Sequence, residues 1–163
     1  MDRALESADR SSGAGATRHS TGRIGVHTIS RMTSVSRVIP IIVCEDIAAT
    51  HDFLVAAFGF EPGEVQRDDD GRVVHGEVRG RDSVIWLHAV SPAQELASPR
   101  TSPQASGGIV AHVDDVDAHF AHARAAGAMI DSEPIDQEYG QREYGARDPE
   151  GHLWWFATPI DSP

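Results

Sequence analysis

The apolar residues of this chain first follow strand spacing and then helix spacing. A run of apolar residues over 38–44, with Pro40 near its start, is typical of a β-strand. Asp46 then precedes apolar residues at helical spacing, and Gly59 follows them. Asp is a favoured residue just before a helix and Gly just after one. We therefore predict a helix between Asp46 and Gly59.

After this helix the sequence returns to strand-like segments. Residues 73–78 and 83–90 are rich in residues that favour strands and are separated by the short turn 79–82, which predicts two hairpin strands. Residues 64–67 leave room for a further short strand. The first half of the chain therefore predicts the order β-α-β-β, with this optional additional strand.

The second half repeats this order. Residues 109–113 predict a strand, Asp114 or Asp115 caps the next predicted helix, and Gly127 ends it. Three more strands are predicted over 128–130, 141–147 and 152–157.

The two halves correspond at one constant separation. Asp46 matches Asp115 and Trp86 matches Trp155, and each pair is 69 positions apart (115 − 46 and 155 − 86). Because one separation links the helix starts with the closing strands, we infer two copies of a single β-α-β-β-β unit.

Composition sets the boundaries around these copies. Residues 1–35 are rich in Ser, Gly, Thr and Arg without apolar periodicity, which predicts a disordered tail. One domain should span 36–160, with repeat one over 37–90 and repeat two over 107–160. Residues 91–106 contain three prolines and predict a linker.

Charge and cysteine content narrow the function classes. The formal net charge of −11 disfavours nucleic acid as a partner, because phosphate binding needs a basic face. No apolar run is long enough to span a membrane, so no membrane partner is expected. The single cysteine, Cys44, excludes an internal disulfide and fits the cytoplasm. Met32 is an alternative start of translation.

Several phrases of the sequence resemble one superfamily. D-[IV]-x-A occurs at both helix starts, and DPEGHLW precedes the last strand. HGEVRGRDSVIWL and YGQREYGARDPEGHLWWF also match its strand-turn-strand phrases. The chain resembles the vicinal oxygen chelate superfamily, which includes glyoxalase I, the bleomycin-resistance proteins and the extradiol dioxygenases, and is most similar to its small bacterial glyoxalase-like members.

The resemblance implies an α+β fold in which two βαβββ repeats form a cup-shaped curled sheet with helices on the outer faces. Helix residues Leu54 and Phe58 should pack against outward strand residues such as Ile85 and Trp154. Exposed strand edges and the resemblance together suggest a homodimer. His51, His119 and His122 are predicted on the solvated sides of the helices.

Metal-dependent members of the superfamily hold their ion at four positions in the cup. Carried onto this chain, those positions fall on residues whose side chains cannot ligate a metal: Ile39, Trp86, Gly108 and Trp155. We therefore expect no cofactor. Two tryptophans facing one cup predict a metal-free site for a small aromatic or hydrophobic molecule. This is similar to the antibiotic-binding members, and drug sequestration is the implied function.

Other polar residues extend this predicted site, and they also leave alternatives open. The additional ligand-binding candidates are His88, His112, Tyr139, Arg142 and Tyr144. A non-standard divalent metal site is the alternative, with a ligand set of His75, Glu77, His88 and His112. That set, or a histidine base without metal, would make the protein a lyase, isomerase or dioxygenase. A structural or regulatory module with a filled cup is the remaining alternative. Asp148 is expected to cap its own turn.

Overall fold

The computed structural model of the protein describes residues 34–101 and 107–160. The predicted tail over 1–35 lies almost wholly outside these residues, as does part of the predicted linker. In the described part of the linker, two short 3-10 turns occur at Pro92–Gln94 and Pro99–Thr101.

The first repeat forms a four-stranded sheet with one helix. Its elements are β1 (Ile41–Cys44), α1 (Ile47–Phe58), β2 (Glu61–Arg67), β3 (Val73–Gly80) and β4 (Ser83–Ala89). The strand order is β1-β4-β3-β2, in which β1 runs parallel to β4 and the other neighbours are antiparallel. The optional strand before β3 is therefore real, and it is longer than 64–67.

The second repeat has the same topology. Its elements are β5 (Gly108–His112), α2 (Val116–Ala125), β6 (Met129–Gln137), β7 (Gln141–Arg147) and β8 (Leu153–Pro159). The order β5-β8-β7-β6 and the parallel β5/β8 pair repeat the first sheet. The α+β fold of two βαβββ repeats, with curled sheets that do not close, is confirmed.

Both helices start in the same way. The Asp46 carboxylate accepts a hydrogen bond of 3.0 Å from the Ala49 N–H, and Asp115 accepts one of 3.0 Å from the Ala118 N–H. Each bond satisfies a backbone donor that has no partner within the helix. Gly59 follows α1 with φ of 70°, a left-handed conformation in which glycine avoids a steric penalty.

The helix-bearing faces of the two sheets share one apolar core. The Phe58 ring, at the end of α1, lies 5.5 Å from the Trp154 ring and 4.8 Å from the Phe156 ring of the second repeat. Leu54, Ile85 and Trp154 are all buried there. The predicted packing is confirmed, and the concave face of each sheet is the one opposite this core.

The prediction that the helix histidines lie on solvated faces was wrong for two of them. His51 is 92% buried, because only 8% of its surface is exposed. His119 donates from Nε2 to the Phe58 carbonyl at 3.1 Å and accepts at Nδ1 from the Tyr144 hydroxyl at 2.7 Å. His122 is exposed, but its Nε2 donates to the Ala56 carbonyl at 2.8 Å. The helices are thus joined by polar contacts as well as by the core.

Candidate ligand-binding site

The register of the first sheet gathers several predicted site residues on its concave face. Glu77 lies beside Trp86, and His75 lies beside His88, on neighbouring strands β3 and β4. On the other side of β4, Ile41 is the neighbour of Trp86. Ile39 precedes β1 and lines a depression of about 400 Å³ together with Trp86 and Glu77.

These polar side chains contact one another. Glu77 accepts a hydrogen bond of 3.1 Å from Arg79, and its Oε1 lies 3.8 Å from His75 Nε2. The hydrogen bond from Arg79 is the main reason that the pKa of Glu77 is lowered. The His75 ring stands edge-on to Trp86 at 5.5 Å and to His88 at 5.9 Å, measured between ring centroids. The first concave face therefore holds an anionic carboxylate beside two imidazoles and one indole.

The second concave face is dominated by Trp155. Its Cζ3 atom lies so close to Gly108 on β5 that a Cβ atom built on this glycine would be 2.4 Å away. Its Nε1 atom lies 3.7 Å from where a Cβ of Gly145 on β7 would be. The indole therefore lies across the sheet and over both neighbouring strands. Trp154, the residue before it in β8, points into the core. Of these two neighbours, Trp155 is therefore the one on the concave face.

The two concave tryptophans belong to different sheets. Every residue that lines the depression around Trp86 comes from the first repeat. His112 also lies on the second sheet, beside Ala157, and not with His75 and Glu77. Within residues 34–101 and 107–160, no three His, Cys, Asp or Glu side chains converge as a metal ion would require. A single chain thus does not assemble the alternative metal-ligand set.

Arg142 and Tyr144 do not line a concave face. Tyr144 is fully buried in the core, and Arg142 is bonded to Asp117 of α2 at 2.9 and 3.0 Å and to Asp136 of β6 at 2.8 Å. Since Gly145 pairs with Trp155, strand alternation turns both residues to the opposite side. Arg142 and Tyr144 therefore do not lie with Trp155 on the concave face, where the sequence placed them.

Tyr139 lies in the turn before β7, exposed, and its hydroxyl donates to Glu143 Oε1 at 2.6 Å. Glu143 lies two residues before Gly145 on β7 and therefore on the same concave side. This hydrogen bond is the main reason that the pKa of the Tyr139 hydroxyl is raised. Tyr139 is thus held at the margin of the second concave face through Glu143.

The segment between β7 and β8 contains two buried carboxylates. As expected, Asp148 caps its own turn by accepting from the Glu150 and His152 backbone N–H groups, each at 3.0 Å. It also accepts from Trp154 Nε1 at 3.1 Å and thereby fixes the start of β8.

The sequence predicted no role for Glu150, although it joins both repeats. Its carboxylate accepts from the Asp46 backbone N–H at 3.0 Å and from the Ser98 hydroxyl, and it is 1% exposed. Asp46 lies 104 positions away in the chain. No local pattern could reveal this contact, and a glutamate in a turn ordinarily indicates only solvent exposure.

The sequence of this chain is similar to a family model and to a mycobacterial protein. Residues 28–156 match the family model described as the glyoxalase/bleomycin resistance protein/dioxygenase superfamily. The uncharacterized protein Rv0887c of Mycobacterium tuberculosis is 34% identical over 126 residues, which cover 74% of this chain and 73% of that protein.

Among the described residues, neither helix has the length and apolar character that a membrane-spanning helix needs.

Two solved structures have the same fold at modest sequence identity. TioX from Micromonospora sp. ML1 is 28% identical with a TM-score of 0.62, covering 77% of this chain and all of TioX (100%). TnmS3, an antibiotic binding protein from Streptomyces sp. CB03234, is 26% identical with a TM-score of 0.61, covering 78% of this chain and 99% of TnmS3. The chain therefore belongs to the glyoxalase/bleomycin resistance protein/dioxygenase superfamily.

Proposed function

We propose that this protein binds a planar aromatic or hydrophobic small molecule, without a metal, and sequesters it. The observation that carries this proposal is the position of Trp155. Its indole lies across β8 and over Gly108, so one ring face rests on the sheet while the other is turned to the concave side. An indole held in this way offers a flat apolar surface for stacking.

Gly108 is what allows this orientation. Any larger residue would place a Cβ atom within 2.4 Å of the indole and would force the ring away from the sheet. Trp154 offers a contrast within the same strand, because it is completely buried while Trp155 is only partly covered. A partly exposed indole resting on a glycine is better suited to ligand contact than to core filling.

The similarity to TnmS3 supports the same class of function. That protein is named for antibiotic binding, and this chain matches nearly its whole length. Drug sequestration, and through it antibiotic resistance, is therefore the biological function that we propose for this chain. The single buried thiol of Cys44 agrees with action in the cytoplasm.

We further propose that two chains assemble to complete the cup. Several large apolar side chains of the concave faces are exposed in one chain, among them Ile41 at 49%, Val110 at 56% and Ile135 at 57%. Val110 is the strand neighbour of Trp155, and Ile41 is the neighbour of Trp86. A second chain seated on these residues would cover them and bring a Trp86 opposite a Trp155.

Catalysis by a histidine base is the second candidate function. Its specific support is the position of His75 on the first concave face, where its Nε2 lies 3.8 Å from Glu77 Oε1, because a general base needs a neighbouring group that orients its ring. An enzyme of this kind would lose turnover and keep ligand binding in the variant His75→Gln.

Tryptophan fluorescence tests the binding proposal directly. Planar aromatic antibiotics and 8-anilinonaphthalene-1-sulfonate should quench the emission of the full-length protein, and Trp155→Ala should weaken their binding by about tenfold or more. The variant Val74→Ala, at an exposed apolar position on the other side of its sheet from His75, is the control for surface change. The proposal fails if no compound of the panel binds, or if Trp155→Ala and Val74→Ala bind the probe equally well.

A further inference from the structure

A second cavity lies at the seam between the two repeats. It has a volume of about 580 Å³ and lies where β1 and β5 approach each other. Among the described residues, β1 pairs only with β4 and β5 only with β8, so these two strand edges are not hydrogen-bonded to each other. The cavity is lined mainly by apolar residues of both repeats, including Ile42, Ile109 and Leu153, and the polar side chains in its lining are those of His152, Glu95 and Ser98.

The imidazole of His152 is held by a buried carboxylate. Asp148 Oδ2 lies 2.9 Å from His152 Nδ1, and the Asp148 side chain is completely covered. A carboxylate can only accept a hydrogen bond, so Nδ1 must carry the ring proton. The lone pair of the neutral ring is therefore on Nε2.

This orientation is rigid, because Asp148 is itself fixed. It accepts from two backbone N–H groups of its own turn and from the indole of Trp154. The His152 backbone N–H is one of those two donors, so the same carboxylate fixes both the main chain and the ring of this residue. The ring cannot turn without breaking these contacts.

The other ring nitrogen is available to a ligand. Within the described ranges, His152 Nε2 makes no hydrogen bond to the protein, and it is not sealed in the interior, since only His51 Nε2 is both buried and unpartnered there. The His152 side chain is nevertheless only 12% exposed. An acceptor whose direction is fixed by Asp148 thus belongs to a residue that lines a mainly apolar cavity.

We propose that the seam cavity is a second ligand site, which binds an apolar molecule with an acidic hydroxyl group, a phenol or an enol, through His152 Nε2. The hydroxyl donates its hydrogen to Nε2, while Asp148 keeps the hydrogen on Nδ1. If the proton transfers fully, it moves from the ligand oxygen to Nε2, and the imidazolium lies between the phenolate and the Asp148 carboxylate. No further reagent is needed for this step.

Binding in the seam cavity is distinct from stacking on Trp155. The two places share a border, because Gly108 lines the seam cavity and also lies under the Trp155 indole. Their chemistry differs, however. A flat apolar surface does not distinguish a phenol from its methyl ether, whereas an acceptor in an apolar cavity rejects the ether, which has no hydrogen to donate.

The test compares 4-nitrophenol with 4-nitroanisole by calorimetric titration of the full-length protein. We expect the phenol to bind roughly tenfold more tightly than its ether, as one hydrogen bond of ordinary net strength would give. The preference should vanish in His152→Phe, which keeps an aromatic ring but has no acceptor. It should persist in Trp155→Ala. Equal binding of the two compounds, or a preference that survives in His152→Phe, would overturn the proposal.

The same titrations separate this proposal from the stacking function. If phenol and ether bind equally and both are weakened by Trp155→Ala, the seam site is refuted and the stacking site stands. If the phenol preference depends on His152 while Trp155→Ala changes neither affinity, the seam site stands and stacking is refuted for these compounds. Binding of neither compound overturns the seam proposal.

Nitrogen NMR of the unmodified protein gives a second test, in which a variant serves only to assign the signal. The long-range spectrum of the histidine side chains distinguishes the two neutral tautomers, and His152 is assigned by the signal that disappears in His152→Phe. We expect the hydrogen of its neutral ring on Nδ1. Finding it on Nε2 would mean that the acceptor faces Asp148 and not the cavity, which would refute the proposal.

Discussion

Replacing Gly108 by alanine tests the structural basis of the proposed stacking site. The added Cβ atom would lie 2.4 Å from Trp155 Cζ3, where ordinary contacts begin at 3.4 Å. The indole must therefore move by at least 1.0 Å, the difference between these distances. The new methyl group would also meet the Leu153 carbonyl oxygen at 3.0 Å, which prevents the backbone from absorbing the strain easily.

Two effects should follow from Gly108→Ala. Overpacking of this kind costs about 1–3 kcal/mol of unfolding free energy, because side chains leave their preferred positions. An indole tilted off the sheet also loses its stacking contact, which is worth about 0.5–1.5 kcal/mol for an aromatic pair beyond the area that it buries. We therefore expect the midpoint of urea unfolding to fall, and the affinity for a planar aromatic probe to fall by roughly tenfold.

The adjacent glycine supplies a matched control. A Cβ atom on Gly107 would meet nothing within 4 Å, so Gly107→Ala should change neither stability nor binding. Near-ultraviolet circular dichroism reports the tryptophan environment and should differ between the two variants. The reasoning about Trp155 is refuted if Gly108→Ala and Gly107→Ala have the same unfolding midpoint and the same spectrum.

A double variant identifies the clash itself. If Trp155 is the obstacle, Trp155→Ala should remove most of the cost of adding a methyl group at Gly108. The loss of unfolding free energy in the double variant should then be smaller than the sum of the losses in the two single variants by about 1 kcal/mol or more, as is typical of residues in contact. Simple additivity would show that the methyl group is accommodated elsewhere.

Three further predictions concern buried polar groups. Burial lowers the pKa of His119 below its ordinary 6.5, so the unfolded chain binds a proton more readily than the folded protein. The contribution of this residue to stability should therefore be complete above pH 6.5 and decline as the pH falls below it. Urea unfolding of His119→Gln should show a flatter dependence of stability on pH. Glu150→Ala removes the acceptor of the Asp46 N–H and the Ser98 hydroxyl and should cost about 2 kcal/mol or more in urea unfolding, whereas Ser98→Ala should cost less. Burial raises the pKa of the Cys44 thiol to about 12, so a thiol reagent should label the native protein at pH 8 only as fast as it unfolds; rapid labelling would contradict this burial.

The repeats could be predicted because their information is local. A helix start needs only an Asp side chain and the N–H three residues later, and both Asp46 and Asp115 make this bond. The faces of β4 and β8 follow in the same way from alternation, so Trp86 and Trp155 could be placed on the side opposite Leu87 and Trp154. No knowledge of the tertiary structure was needed for these steps.

The errors arose where other elements cover a face of a helix or a strand. His119 looks like a polar residue on a helix surface, yet the carbonyl that it meets belongs to Phe58, 61 positions earlier. Tyr144 was expected at a ligand margin because it follows a turn with other polar residues, but its register beside Phe156 places it in the core. Helical or strand periodicity gives the faces of one element and does not say which face another element will cover.

The segment from Asp148 to Trp155 shows why a family motif can be a guide to structure and a poor guide to chemistry. Its Asp bonds the Trp154 indole and fixes the start of β8, while its Glu bonds the start of α1 and thereby joins the repeats. Neither contact involves a ligand. Once that joint is fixed, alternation sends Trp155 to the concave face, where the neighbouring Gly108 lets the indole lie on the sheet. The side chain presented on that face is thus independent of the contacts that hold the joint, and in this chain it is an indole.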